Sequence, residues 1–258
     1  MSRGLKTSFS NEFAPSFCLC ISGIGFEIAK SFSNHNTSLF INSRNLRNLH
    51  KAKKKINDKN LSIFPGDLTN ILETKKFYEF VKKKTKSIDI LICNIGYSTP
   101  NNIIGEENYD NWINSIHLNL FSAINSIYYF KKLLKKSKNP SIVCISSICG
   151  IDALGAPIDY SVSKAALISF VKNQSKVLAK NNIRINCVSP GNILFKNGNW
   201  DNKIKNDKKK VYKYIKDNVP LNKFGTPKNI ADIVMFLSSE LSSFTTGTNI
   251  VVDGGQIK

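Results

Sequence analysis

Histidine is scarce in this sequence. Only His35, His50 and His117 occur, and none stands near another, so a zinc centre is not expected and no metal site is assigned. Six cysteines are present, but no two form a C-x-x-C pair, and most sit in apolar, strand-like runs. That pattern fits small buried core residues in a reducing compartment better than a disulfide framework. No apolar run reaches the ~18 residues that a membrane span requires. The first ten residues lack a signal-peptide core, and Glu12 and Pro15 interrupt the next stretch. A cytoplasmic location is therefore expected, with no membrane partner. Neither G-x-S-x-G nor a Walker-type sequence occurs, which removes the usual grounds for a hydrolase or a phosphoryl-transfer enzyme.

Acidic residues are also few, 18 against 37 Lys plus Arg, for a net charge of +19. Such a balance raises nucleic acid as a partner. Arginine, however, occurs only at positions 3, 44, 47 and 184. A nucleic-acid surface favours Arg and clusters its charge. Here Lys and Asn are scattered, and runs such as 53–55, 82–84 and 208–210 fit the outer faces of helices. No nucleic-acid partner is expected, and salt-dependent binding to duplex DNA would have to appear for that rival to hold.

What is present is a rhythm. Short apolar strands are expected at 16–21, 37–42, 61–64, 88–93, 141–146, 183–188 and 249–252. Helical patterns fall between them at about 24–32, 45–58, 70–85, 106–136, 159–180 and 227–239. Apolar strands alternating with helices argue βαβ units, an α/β fold with one doubly wound parallel sheet and helices on both faces. No repeat or linker is visible, so residues 1–258 are expected to form a single domain, irregular over 1–15. The segment 194–218 is polar, holds an isolated Trp200 and interrupts the rhythm. Excursions of this length are often lids or binding loops, so it is a candidate substrate lid.

The sequence is organised around 159–166. Tyr160 and Lys164 are four apart and share a helix face. A cation within about 4–6 Å lowers a phenol pKa by roughly 1–3 units, which makes the pair a candidate acid/base device. An isolated Y-x-x-x-K would more often be a surface Tyr over a Lys stem. Ser147 changes that reading. It follows the apolar run 141–145 and lies thirteen residues upstream of Tyr160. A strand ending in Ser146-Ser147, a loop and a helix opening on Tyr160 would bring the three groups to one sheet edge, where open parallel sheets bind ligands.

With these residues in place, the chain resembles the short-chain dehydrogenase/reductase family of the classical type, from about Ser22 to Gly255. Its motifs occur in the expected order: 142–150 before the active-site loop, Tyr160-x-x-x-Lys164-Ala165-Ala166, then Ile183 to Gly191, and a carboxy-terminal signature from Pro220 through Val252-Asp253-Gly254-Gly255. The last part is most similar to the 3-oxoacyl-carrier-protein reductase type. The resemblance implies a Rossmann-type fold and an NAD(P)-dependent oxidoreductase that interconverts a carbonyl and an alcohol. The Tyr–Lys spacing argues against the enoyl reductases, in which the two are farther apart. The resemblance also implies roles. Tyr160 would be the general acid/base. Lys164 would hold the nicotinamide ribose and lower the phenol pKa, Ser147 would hydrogen-bond the substrate oxygen, and Asn119 would hold a relay water. Cofactor contacts would come from Ser22, Gly23, Ile24, Gly25, Ser43, Arg44, Asp67, Leu68, Asn94, Gly96, Tyr160, Lys164, Pro190, Gly191 and Ile193. A small carbonyl or alcohol substrate and a symmetric homo-oligomer, a dimer or tetramer paired through the long helices, are implied as well.

Two departures stand out. Cys93 and Ile95 alter the motif around Asn94, and the first glycine of the dinucleotide turn is missing, because the Thr-Gly positions fall on Cys18 and Leu19. A folded, non-catalytic binding protein with a degraded cofactor turn is the rival reading. For the cofactor, Ser43 stands at the strand end where an acid would select NAD, and Arg44 comes next. A hydroxyl and a guanidinium suit a phosphate, so NADP is expected ahead of NAD.

Overall fold

The structure, a computed structural model, describes residues 16–19, 23–35, 37–96 and 104–257. The expected irregular segment 1–15 and the candidate contact Ser22 lie outside the described residues. Seven parallel strands form one sheet in the order β3-β2-β1-β4-β5-β6-β7. They are β1 (Ser16–Leu19), β2 (Leu39–Ser43), β3 (Leu61–Pro65), β4 (Ile90–Cys93), β5 (Ser141–Ile145), β6 (Arg184–Pro190) and β7 (Asn249–Val252). The chain winds outward from β1 to β3, returns, and winds the other way from β4 to β7. The order therefore reverses between β1 and β4, which opens a crevice at their carboxyl ends.

The apolar strands reflect burial on both faces. Along β5, Ile142 and Cys144 enter one core and Val143 and Ile145 the other. Along β4, Leu91 and Cys93 part from Ile90 and Ile92 in the same way. This is the two-residue period of a strand with no solvated side. The first core is closed by α3 (Ile71–Lys82), α5 (Ser122–Leu134) and α6 (Ile158–Leu178), which contribute Phe77, Phe130, Leu167 and Val171. The second is closed by α1 (Ile24–Ser33), α2 (Leu46–Ile56) and α9 (Pro227–Ser238), through Ile28, Phe32, Leu49 and Val234.

Two stretches differ from expectation. The helix expected over 106–136 is α4 (Tyr109–Ile116) and α5 joined by a π-helical turn, His117–Phe121. The polar excursion 194–218 contains two helices, α7 (Asn199–Asn206) and α8 (Lys208–Asn218). Their Lys-rich composition masked a narrow apolar stripe. Val211 and Ile215, four apart, are buried, and Trp200 is not isolated but stacks on Tyr214 and packs on Phe224.

The abundant asparagine also has a structural use. Asn45, Asn70 and Asn108 cap α2, α3 and α4, while Asn57, Asn182, Asn197 and Asn222 take the left-handed backbone that Asn tolerates better than other side-chain-bearing residues. Asn70 Oδ1 accepts from the N–H groups of Leu72 at 2.8 Å and Glu73 at 3.3 Å. Asn70→Ala leaves both donors without that acceptor, and the expected loss is about 1 kcal/mol of unfolding free energy. Urea denaturation should show it as a lower midpoint at unchanged slope. An unmoved midpoint would mean the cap contributes nothing.

Candidate active site

The carboxyl ends of β4, β5 and β6 and the first turns of α6 converge on the crevice. After β5 the chain turns at Ser146-Ser147 into a 3-10 turn, Ile148–Gly150, capped by Ser147, whose Oγ accepts from Cys149 N–H at 3.2 Å. Gly150 lets this turn lie directly on α6, since a Cβ there would sit 2.7 Å from the backbone of Lys164 and Ala165. Ser146 strengthens the contact by donating to the Lys164 carbonyl at 2.9 Å. The close approach sets the Ser147 hydroxyl beside the Tyr160 phenol, near enough to favour the charged form of the ring oxygen.

Lys164 is 2% exposed and donates to the Ile145 carbonyl at 3.0 Å. Its ammonium lies 5.8 Å from the centroid of the Tyr160 ring. Gly96, just past β4, closes the group. A Cβ at that position would collide with Lys164 Nζ and lie 3.0 Å from Asn119 Oδ1. Asn119 is carried by the π turn, a device that re-aims one side chain within a helix. Its Nδ2 donates to the carbonyl and hydroxyl of Ser115, and the Ser115 hydroxyl is 3.3 Å from that of Ser163 on α6. The structure thus brings Ser147, Tyr160, Lys164, Asn119 and Gly96 together. Asn94 leaves the same strand end.

The electrostatics correct one expectation. Tyr160 is not acidified. Burial pushes its pKa up to about 12, the Ser147 hydrogen bond opposes that rise, and the Cys149 thiol adds to it. Lys164 is itself pulled down to about 8 by burial, with Cys187 and Cys144 acting the other way. A desolvated ammonium committed to a carbonyl is a weak source of positive potential for the phenol, and loss of water disfavours both charged forms.

The remaining candidate cofactor contacts lie around this group. Ser43 ends β2, and its Oγ accepts from Asn45 N–H. Arg44 forms an ion pair with Asp67 at 3.9 Å. Asp67 also accepts from the backbone and hydroxyl of Thr69. Leu68 turns its side chain into the core, and its carbonyl accepts from Asn125 and Thr74. Beyond β6, Gly191 touches Asp253, and Ile193 is buried and bridged to Gly225. Leu19 ends β1, so the position of the missing first glycine belongs to the strand. Gly23, with φ of 55°, and Ile24 and Gly25 open α1.

Several residues here escaped sequence reasoning. A Cβ on Gly23 would lie 2.5 Å from the ring of Phe195, so this ring rests on the turn that opens α1. An aromatic in a polar stretch, five residues after Pro190, was its only signal. The Ser115–Ser163 contact and the hydrogen bonds of Gln256 to Asn192 and Tyr214 join residues far apart in sequence and had none.

Comparison with known proteins places this geometry. A family profile described as Enoyl-(Acyl carrier protein) reductase matches residues 20–256. The chain belongs to the short-chain dehydrogenase/reductase family. It is 33% identical over 238 residues to a 3-oxoacyl-[acyl-carrier-protein] reductase FabG of Chlamydia muridarum, covering 90% of this chain and 92% of the other. A FabG of Buchnera aphidicola is 35% identical over 240 residues, at 90% and 92% coverage. Among solved structures, YwfH, described as an NADPH dependent reductase involved in bacilysin biosynthesis, superposes with a TM-score of 0.87 at 27% identity, over 96% of this chain and 99% of that one. L-sorbose reductase of Gluconobacter frateurii, solved with NADPH and L-sorbose, gives 0.86 at 26%, over 96% and 97%. As a member of this family the chain is an NAD(P)-dependent oxidoreductase of carbonyl and alcohol groups. No helix among the described residues is long and apolar enough to cross a membrane.

The depressed Lys164 pKa has a thermodynamic consequence. The unfolded chain keeps Lys protonated up to about 10.5, while the folded state releases the proton near 8. Between those values the unfolded state binds more protons, so the contribution of Lys164 to stability improves as pH rises from about 8 to 10.5 and is constant below about 8. Comparing wild type with Lys164→Met isolates this term. Wild type should gain on the variant by up to about 3 kcal/mol across the window. Parallel stability–pH curves in urea titrations would show that burial does not depress this lysine.

Proposed function

We propose that the protein reduces a ketone-type carbonyl of a small molecule to an alcohol, or runs the reverse reaction, with NADPH as the preferred cofactor. The convergence of Ser147, Tyr160, Lys164 and Asn119 on the side-chain-free face of Gly96, at the reversal point of the sheet, carries this reading. The same cradle supports a nicotinamide dinucleotide, since a side chain at position 96 would fill it. The glycines opening α1, the Ser43–Arg44 strand end, Asp67, Asn94, Gly96, Lys164 and the 190–193 segment would hold it. When bound, that cofactor supplies or takes the hydride.

The chain's own residues supply the proton. Tyr160 donates its hydroxyl proton to the carbonyl oxygen as the hydride reaches carbon, and takes it back in oxidation. Ser147 donates a hydrogen bond to the same oxygen, stabilising charge that develops there. Lys164 holds ribose hydroxyls and, with Asn119, connects Tyr160 to solvent protons. The spacing of Tyr160 and Lys164 favours a carbonyl over an enoyl substrate. The names of the relatives span a 3-oxoacyl carrier protein and a ketose, which share a ketone.

The helices α7 and α8 serve as the substrate lid over residues 194–218, and with 150–159 they set specificity. A homo-oligomer is favoured by Phe121 and Tyr128, which remain exposed on the π turn and α5 while Phe130 enters the core.

Tyr160→Phe keeps the ring and removes the proton. Turnover in an assay of cofactor absorbance should fall at least ~100-fold with the fold intact. Near-normal turnover would end the assignment.

NADPH preference rests on Arg44 and Ser43, with the NADPH-linked structures YwfH and L-sorbose reductase in support. Arg44 already faces one carboxylate, Asp67. Ser43→Asp adds a second where a 2′-phosphate would sit. Wild type should show the higher kcat/KM with NADPH, and the variant should shift toward NADH. An unchanged ratio would show that this strand end does not read the phosphate.

A further inference from the structure

One polar bridge among the described residues ties the two helices of the lid to the rest of the protein. Among the described residues, the bond from Gln256 Nε2 to Tyr214 Oη, at 3.0 Å, is the one hydrogen bond or ion pair that leaves α7 and α8 for a residue outside 197–219. Apolar contacts add to it: Val211 and Ile215 are buried, Trp200 stacks on Tyr214, and Trp200 and Tyr212 pack on Phe224.

The far end of the same amide is also engaged. Gln256 Oε1 accepts from Asn192 Nδ2 at 2.5 Å. Asn192 is buried and lies between Gly191 and Ile193, in the segment assigned above to cofactor binding. Gln256 itself is held firmly. The Asp253 carboxylate accepts from the N–H groups of Gly255 and Ile257, both at 2.8 Å, and Gly254 and Gly255 take φ of 73° and 86°. Asp253 in turn packs against Gly191. The tail and the 190–193 segment therefore form one body, and among the described residues the Gln256 amide makes its one side-chain hydrogen bond to α7 and α8. Tyr214 then stacks on Trp200 with centroids 5.4 Å apart.

We propose that Gln256 is a positioning residue that couples cofactor occupancy to the lid: a displacement of the 190–193 segment passes through Asn192, the Gln256 amide and Tyr214 to α7 and α8. The proposal rests on the reading that this segment helps to hold the cofactor. The Phe195 ring, two residues past the segment, rests on Gly23 of the turn that opens α1. A tether through one side chain transmits movement only while both of its hydrogen bonds hold. Leu at 256 keeps the volume and loses both. Glu keeps both, because its two oxygens accept from the Asn192 amide and from the Tyr214 hydroxyl, which can also donate.

Trp200 sits in the lid and reports on it, and the chain has two tryptophans. A Trp112→Phe background leaves Trp200 as the sole indole. The oxidised cofactor NADP+ is titrated, with its affinity measured separately by calorimetry. In the background protein, saturation with NADP+ should change Trp200 emission. In Gln256→Leu and in Tyr214→Phe that change should fall to a fifth or less, while the NADP+ dissociation constant stays within threefold. Gln256→Glu should restore it. A full emission change in Gln256→Leu and Tyr214→Phe overturns the proposal, as does an unresponsive Trp200 in background protein that binds NADP+. Failure of Gln256→Glu to restore the change overturns it too, by assigning the effect to structure rather than to the hydrogen bonds. Absence of NADP+ binding to the background protein in calorimetry is a separate result, which removes the cofactor reading and the coupling with it.

Discussion

An ammonium group deprived of water is the constraint on which the site depends. Lys164 lies at the foot of the crevice and donates to a backbone carbonyl, and the elements around it are shaped to admit it. Gly96 leaves the room its head needs, and Gly150 lets the β5 turn press on the helix that carries it. Ser146 fastens that turn to the same residue's carbonyl. Isolated buried charge is costly, so the group either finds partners or surrenders its proton, and here burial draws its pKa down to about 8. A lysine poised near physiological pH is suited to passing protons as well as to holding hydroxyls.

The same constraint explains the state of Tyr160. Ser147 stabilises the charged form through its hydrogen bond, but burial is the larger effect, and the phenol stays protonated well beyond neutral pH. A group with that character is prepared as a proton donor, which is the role reduction requires.

Much of this was legible in the sequence, for identifiable reasons. The strand–helix rhythm announced the parallel sheet because strands covered on both faces must be apolar throughout. Ser147, Tyr160 and Lys164 could be read because two of them share a helix face and the third ends a strand. What stayed hidden depends on three-dimensional detail. The spacing of Tyr160 and Lys164 implied a lowered phenol pKa, but the sign turned on burial, which spacing does not contain. The π turn at His117–Phe121 has no compositional mark. Helices α7 and α8 were obscured because only Val211 and Ile215 are buried along a face otherwise rich in Lys. Phe195 against Gly23, and Gln256 between Asn192 and Tyr214, are meetings of distant segments that no local pattern encodes.

Beneath Lys164 the sheet holds three sulfurs in a row. Cys93 stands opposite Cys144 and Cys144 opposite Cys187, all in the core shared with α6. The hydrogen bond with Cys93 and then burial push the Cys144 thiol up, and burial with the nearby Cys144 pushes up that of Cys187, so the protonated, poorly nucleophilic form persists in the folded protein. Soft, uncharged atoms thus stand where a carboxylate would have pinned the lysine's charge. These thiols become reactive only when the strands part, so the speed at which an alkylating reagent consumes them is a clock for the opening of the central sheet.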